Sequence, residues 1–236
     1  YRTRIFAATM VPSWKLFLLL SSVRAFSSIA NNRSLRKTSR RMASSENGTQ
    51  ESSKENLLHV VIAGAGVVGT CTAYFLSSSR GIKITLVDPT GSIAPAASGK
   101  AGGFLAYDWN DGSPTQDLTR RSFDLHQQIA DQVGAENIQY RRLRCEAVVV
   151  DDRAGKPSGK KLQSVEWAQK AVGSRQLGDE STIAQVHPKL LCQTLWSQVL
   201  DTCDSTLVKN NVLGAVHDEA GNLIGARLQD GSLLEC

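Results

Sequence analysis

The sequence predicts an α/β fold, in which an open and mostly parallel sheet is joined to an antiparallel β meander. Two observations carry this prediction. Residues 59–88 run from an apolar, β-branched stretch through a glycine-rich turn and a helix-like stretch to a second apolar stretch, which is the order of a βαβ unit. From Thr206 onward, short apolar runs alternate with turn sequences at 219–222 and 230–231, which indicates antiparallel strands.

The βαβ unit divides into three elements. Residues 60–63 are apolar and mostly β-branched, as expected of a parallel strand that is buried on both faces. Residues 67–78 contain no helix breaker and are followed by Arg80-Gly81, which predicts a helix. Residues 82–87 form the predicted second strand, which ends at Asp88.

The turn Gly64-Ala65-Gly66-Val67-Val68-Gly69 has the spacing of a dinucleotide-binding fingerprint. Gly64 permits a tight turn, Gly66 lets the backbone approach a pyrophosphate, and Gly69 lets the helix pack on the strand. The helix N-terminus offers unpaired N–H groups and a partial positive charge to the phosphates. Asp88 is placed to accept hydrogen bonds from the adenosine ribose. Strand, helix and terminal acid together favour nucleotide binding over a glycine-rich turn in another α/β fold.

A second small-residue loop follows at 94–103, where Lys100 is the only side chain longer than proline. Such a loop lets backbone N–H groups reach ligand oxygens, while Ser98 and Lys100 add a hydroxyl and a cation. A flexible linker is the alternative. With GAGVVG at 64–69 and the acid at the strand end, ASGKAGG at 97–103 resembles the FAD-dependent oxidoreductases of the D-amino-acid oxidase superfamily, which includes glycine and sarcosine oxidases.

This resemblance implies a Rossmann-type FAD-binding domain in which the second loop wraps the flavin side of the cofactor and a valine packs near the adenine. The implied cofactor-binding residues are Gly64, Ala65, Gly66, Val67, Val68, Gly69, Asp88, Ser98, Gly99, Lys100, Ala101, Gly102, Gly103 and Val212. Catalytic residues stay unassigned. No metal site is expected, because the five cysteines have no metal-ligand spacing.

Three further elements are predicted beyond the second loop. Residues 113–116 read as a capping box, with Ser113 as the N-cap and Pro114 at the first helical position. The buried face of this helix is expected to contain Leu118, Leu125, Ile129 and Val133. Residues 145–150 are strand-like, and His187-Pro188 precedes another apolar helix.

Several chemically active residues have two interpretations. His187 is better explained as a helix-start residue than as a general base, and His126 as a solvated or packed histidine than as a catalytic one. Cys71 is either a small buried packing residue, which is favoured, or a thiol whose pKa the helix dipole lowers. Residues 107–110 face the substrate or form a polar surface loop, and the sequence does not separate these two.

The resemblance implies an FAD-dependent oxidoreductase that takes a hydride from the carbon beside the nitrogen of an amine or amino acid. The resulting imine would hydrolyse, and the reduced flavin would pass its electrons to oxygen or to another acceptor. Two other functions use the same fingerprint. One is an NAD(P)-dependent dehydrogenase, and the other is a non-catalytic flavoprotein that acts in trafficking or assembly.

Residues 1–45 carry nine basic and no acidic residues, while the remainder carries 18 basic and 22 acidic ones. An acidic body argues against a nucleic-acid partner. The order of Lys15, a short apolar run and Ala25, followed by a Ser- and Arg-rich stretch, predicts a bipartite plastid presequence, with a mitochondrial one as the alternative. The apolar run is too short for a transmembrane segment, which needs about 20 residues.

The chain therefore divides into a targeting presequence at 1–45, a polar linker at 46–57 and an oxidoreductase domain at 58–236. The resemblance implies that family members continue beyond the position of Cys236 into a long substrate-domain sheet. We therefore expect the chain to be an amino-terminal fragment with an incomplete substrate domain.

Overall fold

The computed structural model describes residues 6–7, 57–150 and 171–236, so most of the predicted presequence and linker lies outside the described residues. In chain order the strands are β1 (Phe6–Ala7), β2 (Leu58–Ala63), β3 (Ile82–Asp88), β4 (Phe104–Ala106), β5 (Arg141–Arg142), β6 (Cys145–Val150), β7 (Ala171–Gly178), β8 (Ile183–Gln185), β9 (Ser205–Lys209), β10 (Val212–His217), β11 (Leu223–Leu228) and β12 (Leu233–Glu235). The helices are α1 (Val67–Ser77), α2 (Ala97–Lys100), α3 (Gln116–Val133) and α4 (Pro188–Thr202), with a 3₁₀ turn at Glu136–Ile138. No helix within the described ranges is long and apolar enough to cross a membrane.

The central sheet is parallel, with the strand order β1-β2-β3-β9. Val60 lies opposite Ile84, and Asp88 lies opposite Lys209. The predicted βαβ unit is confirmed, with β2 starting two residues earlier than expected and β3 including Asp88. Because parallel strands end at one edge of the sheet, the turns after β2, β3 and β9 meet there.

Helices α1 and α4 cover one face of this sheet and form its main core. The buried members of this core are Val60, Ile62, Ala65, Ala73, Leu76, Ile84, Leu86, Trp196 and Val199. The β-branched and leucine side chains of β2 and β3 alternate between this core and the opposite face of the sheet. The helix that begins at Pro188 was predicted from the sequence and is confirmed.

The opposite face of the sheet is covered by the predicted meander, which has the order β10-β11-β12 with antiparallel pairing throughout. Val61 and Val87 of the parallel sheet are buried against Ala226 and Leu228 of the meander. The two predicted turns have glycine in the left-handed region, at Gly221 (φ +81°) and Gly231 (φ +87°). The parallel sheet thus lies between helices and a second sheet.

Between β3 and β9, the described residues also form the antiparallel sheet β4-β8-β5, the antiparallel pair β6-β7 and helix α3. The predicted strand at 145–150 is confirmed as β6. Phe123, Ile129 and Ile138 are buried against Leu191 and the rest of this second core.

The start of α3 was predicted wrongly. The helix begins at Gln116 rather than at Pro114, because the Ser113 hydroxyl bonds the Asn110 carbonyl (2.7 Å) and accepts from the Thr115 N–H (3.2 Å). The Gln116 side chain accepts from the Gly112 N–H at 2.7 Å. The side chains of Ser113 and Gln116 therefore bond the loop before the helix and do not form the predicted capping box. Leu118 is 61% exposed and does not belong to the buried face, where Phe123 is found instead.

Candidate cofactor site

The turn after β2 is built on two glycines whose conformation and packing exclude side chains. Gly64 has φ +96°, in the left-handed region, and its N–H donates to the Val87 carbonyl at 2.7 Å, which fixes the turn to β3. A Cβ on Gly69 would lie 2.0 Å from the Gly64 carbonyl oxygen. Only glycine at this position allows α1 to approach the turn so closely.

The N-terminus of α1 receives no cap from its own N-cap residue. Gly66 is the N-cap and has no side chain, and the next two residues, Val67 and Val68, are 38% and 61% exposed. The N–H groups of a helical first turn have no partner inside the helix and carry a partial positive charge. This end of α1 therefore presents donors to an anion such as a diphosphate.

Asp88 is buried at the end of β3 and is tied to the same turn. Its Oδ2 accepts from the Ala65 N–H at 3.1 Å, while Oδ1 accepts from the Thr90 N–H (2.9 Å) and the Thr90 hydroxyl (2.6 Å). Burial alone would raise the pKa of Asp88, but the bonds from Thr90 and Ala65 outweigh it and hold the pKa below its ordinary value. Three of about four acceptor positions on the carboxylate are used, which leaves one for a ligand hydroxyl.

The second small-residue loop docks directly on the first. The Ala94 N–H donates to the Ala65 carbonyl at 2.8 Å, and the Val67 N–H donates to Ser98 Oγ at 3.0 Å. A Cβ on Gly66 would lie 3.0 Å from Ser98 Oγ, so the loops are in contact at that glycine. Ser98 was predicted as a flavin-side hydroxyl, and in the structure its hydroxyl accepts from the first N–H of α1.

The loop is rigidly attached on both sides. Ala94 is buried with φ +49°, and a Cβ on Gly99 would lie 2.0 Å from its carbonyl oxygen. Gly103 has φ +70°, and its carbonyl accepts from the Val186 N–H at 2.9 Å. Between these anchors, a single turn of helix, α2, replaces part of the predicted loop. Residues 100–102 are exposed and line the outer side of the loop.

The structure brings the two loops and Asp88 together, and it places Val212 beyond the end of β9. Val212 starts β10 and is half-buried against the core between the parallel sheet and the meander.

Thr90 and Ala94 were missed by the sequence analysis. Thr90 had a local signal, since a threonine two residues after an aspartate commonly closes a side-chain turn, whereas Ala94 had none.

Three of the open interpretations are decided by local geometry. His187 is the N-cap of α4 and its Nδ1 accepts from the Leu190 N–H at 3.3 Å, which confirms the helix-start role. Cys71 is half-buried against the core that contains Phe123 and Leu191, and burial raises its pKa to about 12, as expected of a packing residue rather than an activated thiol. His126 Nδ1 bonds the Ser122 carbonyl at 2.7 Å within its own helix, as a packed histidine would.

The loop at 107–110 is a surface loop with an anchoring aromatic residue, and its facing the substrate stays a prediction. Tyr107 is half-buried, with its ring 5.5 Å from that of Phe123. Trp109 is 52% exposed, stacks on Phe104 with the ring centroids 5.0 Å apart, and donates from Nε1 to the Leu177 carbonyl at 3.3 Å. Tyr107 thus anchors the loop, and Trp109 lies on its outer side.

Comparison with known proteins decides the family. The family model described as "DAO: FAD dependent oxidoreductase" matches residues 59–220. The chain belongs to the DAO family. This match contains both loops, Asp88 and Val212, and it confirms the resemblance that these residues suggested. The cofactor of the DAO family is FAD rather than a nicotinamide nucleotide.

Individual proteins resemble the chain in sequence or in structure. "Putative oxidoreductase C1F5.03c" of Schizosaccharomyces pombe is 33% identical over 172 residues, which are 70% of this chain and 44% of that protein. Glycine oxidase from Bacillus cereus superposes with a TM-score of 0.59 at 19% identity, over 75% of this chain and 54% of that one. The FAD-bound L-α-glycerophosphate oxidase of Mycoplasma pneumoniae superposes with a TM-score of 0.52 at 15% identity, over 73% of this chain and 50% of that one. The chain spans about half the length of these relatives.

The residues present fit FAD. Ser98 takes the Val67 N–H, and the next first-turn N–H groups of α1, at Val68 and Gly69, have no partner inside the helix and suit a diphosphate. The free acceptor position on Asp88 suits a ribose hydroxyl. A Cβ on Gly102 would meet no atom within 4 Å, so the outer side of the second loop has space for a ring system.

Proposed function

We propose that the whole protein oxidises a small amine or amino acid with FAD, and that the described residues form its cofactor-binding part. The observation that carries this proposal is the contact between the two loops, Ala94 to Ala65 and Val67 to Ser98. A second loop docked on the dinucleotide turn extends the site beyond a diphosphate and a ribose. Such an extension suits a cofactor with a large ring system on its second half.

In this proposal residues 64–69 bind the diphosphate, Asp88 binds the ribose, Val212 lies near the adenine, and residues 98–103 line the flavin. When bound, FAD would supply the redox chemistry, which is removal of a hydride from the carbon beside the substrate nitrogen. The nitrogen would release a proton, water would hydrolyse the imine, and the two electrons would pass on to oxygen or another acceptor. Lys100 would stabilise negative charge near the ring system.

The choice of an amine draws on glycine oxidase, whose name gives an amino acid as its substrate. L-α-Glycerophosphate oxidase has the same fold and is named for a substrate with a hydroxyl group instead of an amine. The fold is therefore compatible with either kind of donor. An amine is the donor we propose, and glycerol phosphate is the natural competitor to test beside it.

The test uses the full-length protein purified with its own cofactor. An absorption spectrum first shows whether flavin is bound. Under anaerobic conditions, a panel of amino acids, simple amines and glycerol 3-phosphate is then added, and loss of the flavin absorption is followed. Bleaching by amino acids or amines supports the proposal. Bleaching by glycerol 3-phosphate alone, or by no member of the panel, would contradict it, and the second outcome would favour a non-catalytic flavoprotein.

A further inference from the structure

Lys209 is the last residue of β9 and lies beside Asp88 at the carboxyl edge of the parallel sheet. In the parallel pairing of β3 with β9, Lys209 is the register partner of Asp88, and it is exposed. Three features therefore follow one another along this edge, namely the turn after β2, Asp88 at the end of β3, and Lys209 at the end of β9. Because neighbouring strands lie about 4.8 Å apart, this row is about 10 Å long.

The order of these features matches the order of the chemical groups in the adenosine half of FAD. The first turn of α1 suits the diphosphate, and Asp88 suits the ribose that follows it. Lys209 belongs to the strand on the far side of β3 from β2, and Val212 starts β10 three residues later. Lys209 therefore stands at the ribose and adenine end of the row, away from the diphosphate.

The apolar stem of Lys209 packs on the turn that follows Asp88. A Cβ on Gly91 would lie 2.9 Å from the Cβ of Lys209, 3.2 Å from its Cγ and 3.4 Å from its Cδ, so three stem carbons cross the face of this glycine. Gly91 has φ +66°, and its N–H donates to the Asp88 carbonyl at 3.0 Å. The turn leaves room for the lysine stem because residue 91 has no side chain.

The end of β9 is held in place by bonds to β3 and to the meander. The Asn210 N–H donates to the Asp88 carbonyl at 3.1 Å. The side-chain oxygen of Asn210 accepts from the N–H groups of Asn211 at 2.8 Å and of Gln229 at 3.2 Å. These bonds fix the backbone that carries Lys209 relative to the backbone that carries the Asp88 carboxylate.

The charge of Lys209 is not neutralised within the described part of the chain. The ion pairs found there join Lys83 to Asp204, Arg120 to Asp111, and Arg144 to Glu180. The carboxylate of Asp88 accepts from Ala65 and Thr90 and forms no ion pair among these residues. The ammonium group of Lys209, which has three donors, is therefore available to a ligand.

We propose that Lys209 is a cofactor-binding residue whose ammonium group donates a hydrogen bond to a hydroxyl oxygen of the adenosine ribose. Each ribose hydroxyl both donates and accepts, and the carboxylate of Asp88 can serve only the donating side. An ammonium group only donates, so Lys209 supplies the complementary half of the contact. This inference rests on the ribose lying at Asp88, as in the proposed function, and it does not depend on which substrate the protein oxidises.

The test compares Lys209→Met, which keeps an apolar stem and removes the ammonium group, with the unaltered full-length protein. Fluorescence titration of the apoprotein should show that FAD binds about 10-fold more weakly to the variant, because a hydrogen bond from a charged group is lost. FMN, which lacks the adenosine half, should bind to both proteins equally. Arg80→Gln is the matched control, since it removes an exposed cation at the opposite edge of the sheet and should bind FAD normally.

An unchanged affinity of Lys209→Met for FAD would overturn the contact, and so would an equal loss of affinity for FMN, which would place the effect outside the adenosine half. Urea unfolding of the two apoproteins should give the same midpoint. A lower midpoint for Lys209→Met would assign the loss to the packing of the stem on Gly91 and would also overturn the contact. The proposed function fails separately, since FAD affinity could change as expected while no amine or amino acid bleaches the flavin.

Discussion

The backbone N–H of Ala94 donates to the carbonyl of Ala65 at 2.8 Å and so joins two loops that follow different strands of the parallel sheet. Ala94 is buried and has φ +49°, an unfavourable conformation for alanine that the surrounding structure must stabilise. The contact makes the turn at 64–69 and the loop at 94–103 parts of one site. The predictions below depend on this shared geometry.

Replacing Gly69 by alanine should destabilise the protein and release FAD. The new Cβ would lie 2.0 Å from the Gly64 carbonyl oxygen, so α1 must move away from the turn. Overpacking of this kind costs about 1–3 kcal/mol of unfolding free energy. Urea unfolding and the flavin content after purification measure the two effects. Gly214→Ala is the control, because a Cβ there meets nothing within 4 Å, and equal midpoints for the two variants would refute the steric argument.

Replacing Asp88 by alanine should weaken FAD binding by about 10- to 100-fold, because charge-assisted hydrogen bonds contribute about 1.5–3 kcal/mol. The change also removes the acceptor of the Ala65 and Thr90 N–H groups. Fluorescence titration of the apoprotein with FAD gives the affinity. Asp201→Ala, which removes an exposed carboxylate on α4, should bind FAD normally. An unchanged affinity for Asp88→Ala would exclude that residue from the site.

Replacing Ser98 by alanine should lower the stability of the apoprotein by about 0.5–2 kcal/mol, as the loss of a helix cap does. The Ser98 hydroxyl accepts from the Val67 N–H, and alanine cannot. Thermal unfolding of apoprotein and FAD-bound protein separates this structural role from a ligand contact. A loss in the apoprotein identifies the cap, whereas a loss that occurs only with FAD bound would show that Ser98 acts solely on the cofactor.

The pH dependence of stability should contain a component from His59. Its Nδ1 bonds the Glu235 carbonyl at 2.6 Å and its Nε2 bonds Thr85 Oγ1 at 2.8 Å, which joins the parallel sheet to the end of the meander. Burial lowers the pKa of His59, against the opposing effect of the Glu235 carbonyl, so the folded chain favours the neutral ring. Lys83 nearby lowers this pKa further, and Asp204 raises it.

The unfolded chain therefore takes up a proton near pH 6.5 that the folded chain resists. The stabilisation is complete above about pH 6.5 and is lost as the pH falls through the lower folded pKa. Urea unfolding between pH 8 and pH 5 measures the slope. His59→Gln should flatten it, and His217→Gln, at an exposed histidine, should leave it as it is. If the free energy of unfolding depends on pH equally in His59→Gln and in the unaltered chain, the His59 ring does not contribute to that dependence.

The features that local sequence encodes were predicted well. The glycines at 64–69 lie close together in the sequence, and Gly69 is required by the Gly64 carbonyl a few residues before it. Gly66, by contrast, contacts Ser98 of the second loop. The apolar runs of β2 and β3 are continuous because both faces of a parallel strand are buried. The start of α3 was predicted wrongly although its contacts are local, because the side chains of Ser113 and Gln116 bond the preceding loop instead of capping the helix.

The features that depend on distant partners could not be predicted. Nothing near Ala94 reveals that its N–H reaches Ala65, and nothing near Arg141 reveals that Gln185 orients it. The first contact forms because β2 and β3 end side by side, and the second because β5 pairs with β8. Single-sequence periodicity reports burial along one element and contains no information about which loops meet.

The most direct measurement is a crystal structure of the full-length protein with FAD bound. It should place the diphosphate within hydrogen-bonding distance of the first-turn N–H groups of α1, at Val68 and Gly69, with the flavin ring against residues 98–103. A ring system held elsewhere, with the Ala94–Ala65 contact broken or the end of α1 covered by protein side chains, would contradict a single site built from both loops.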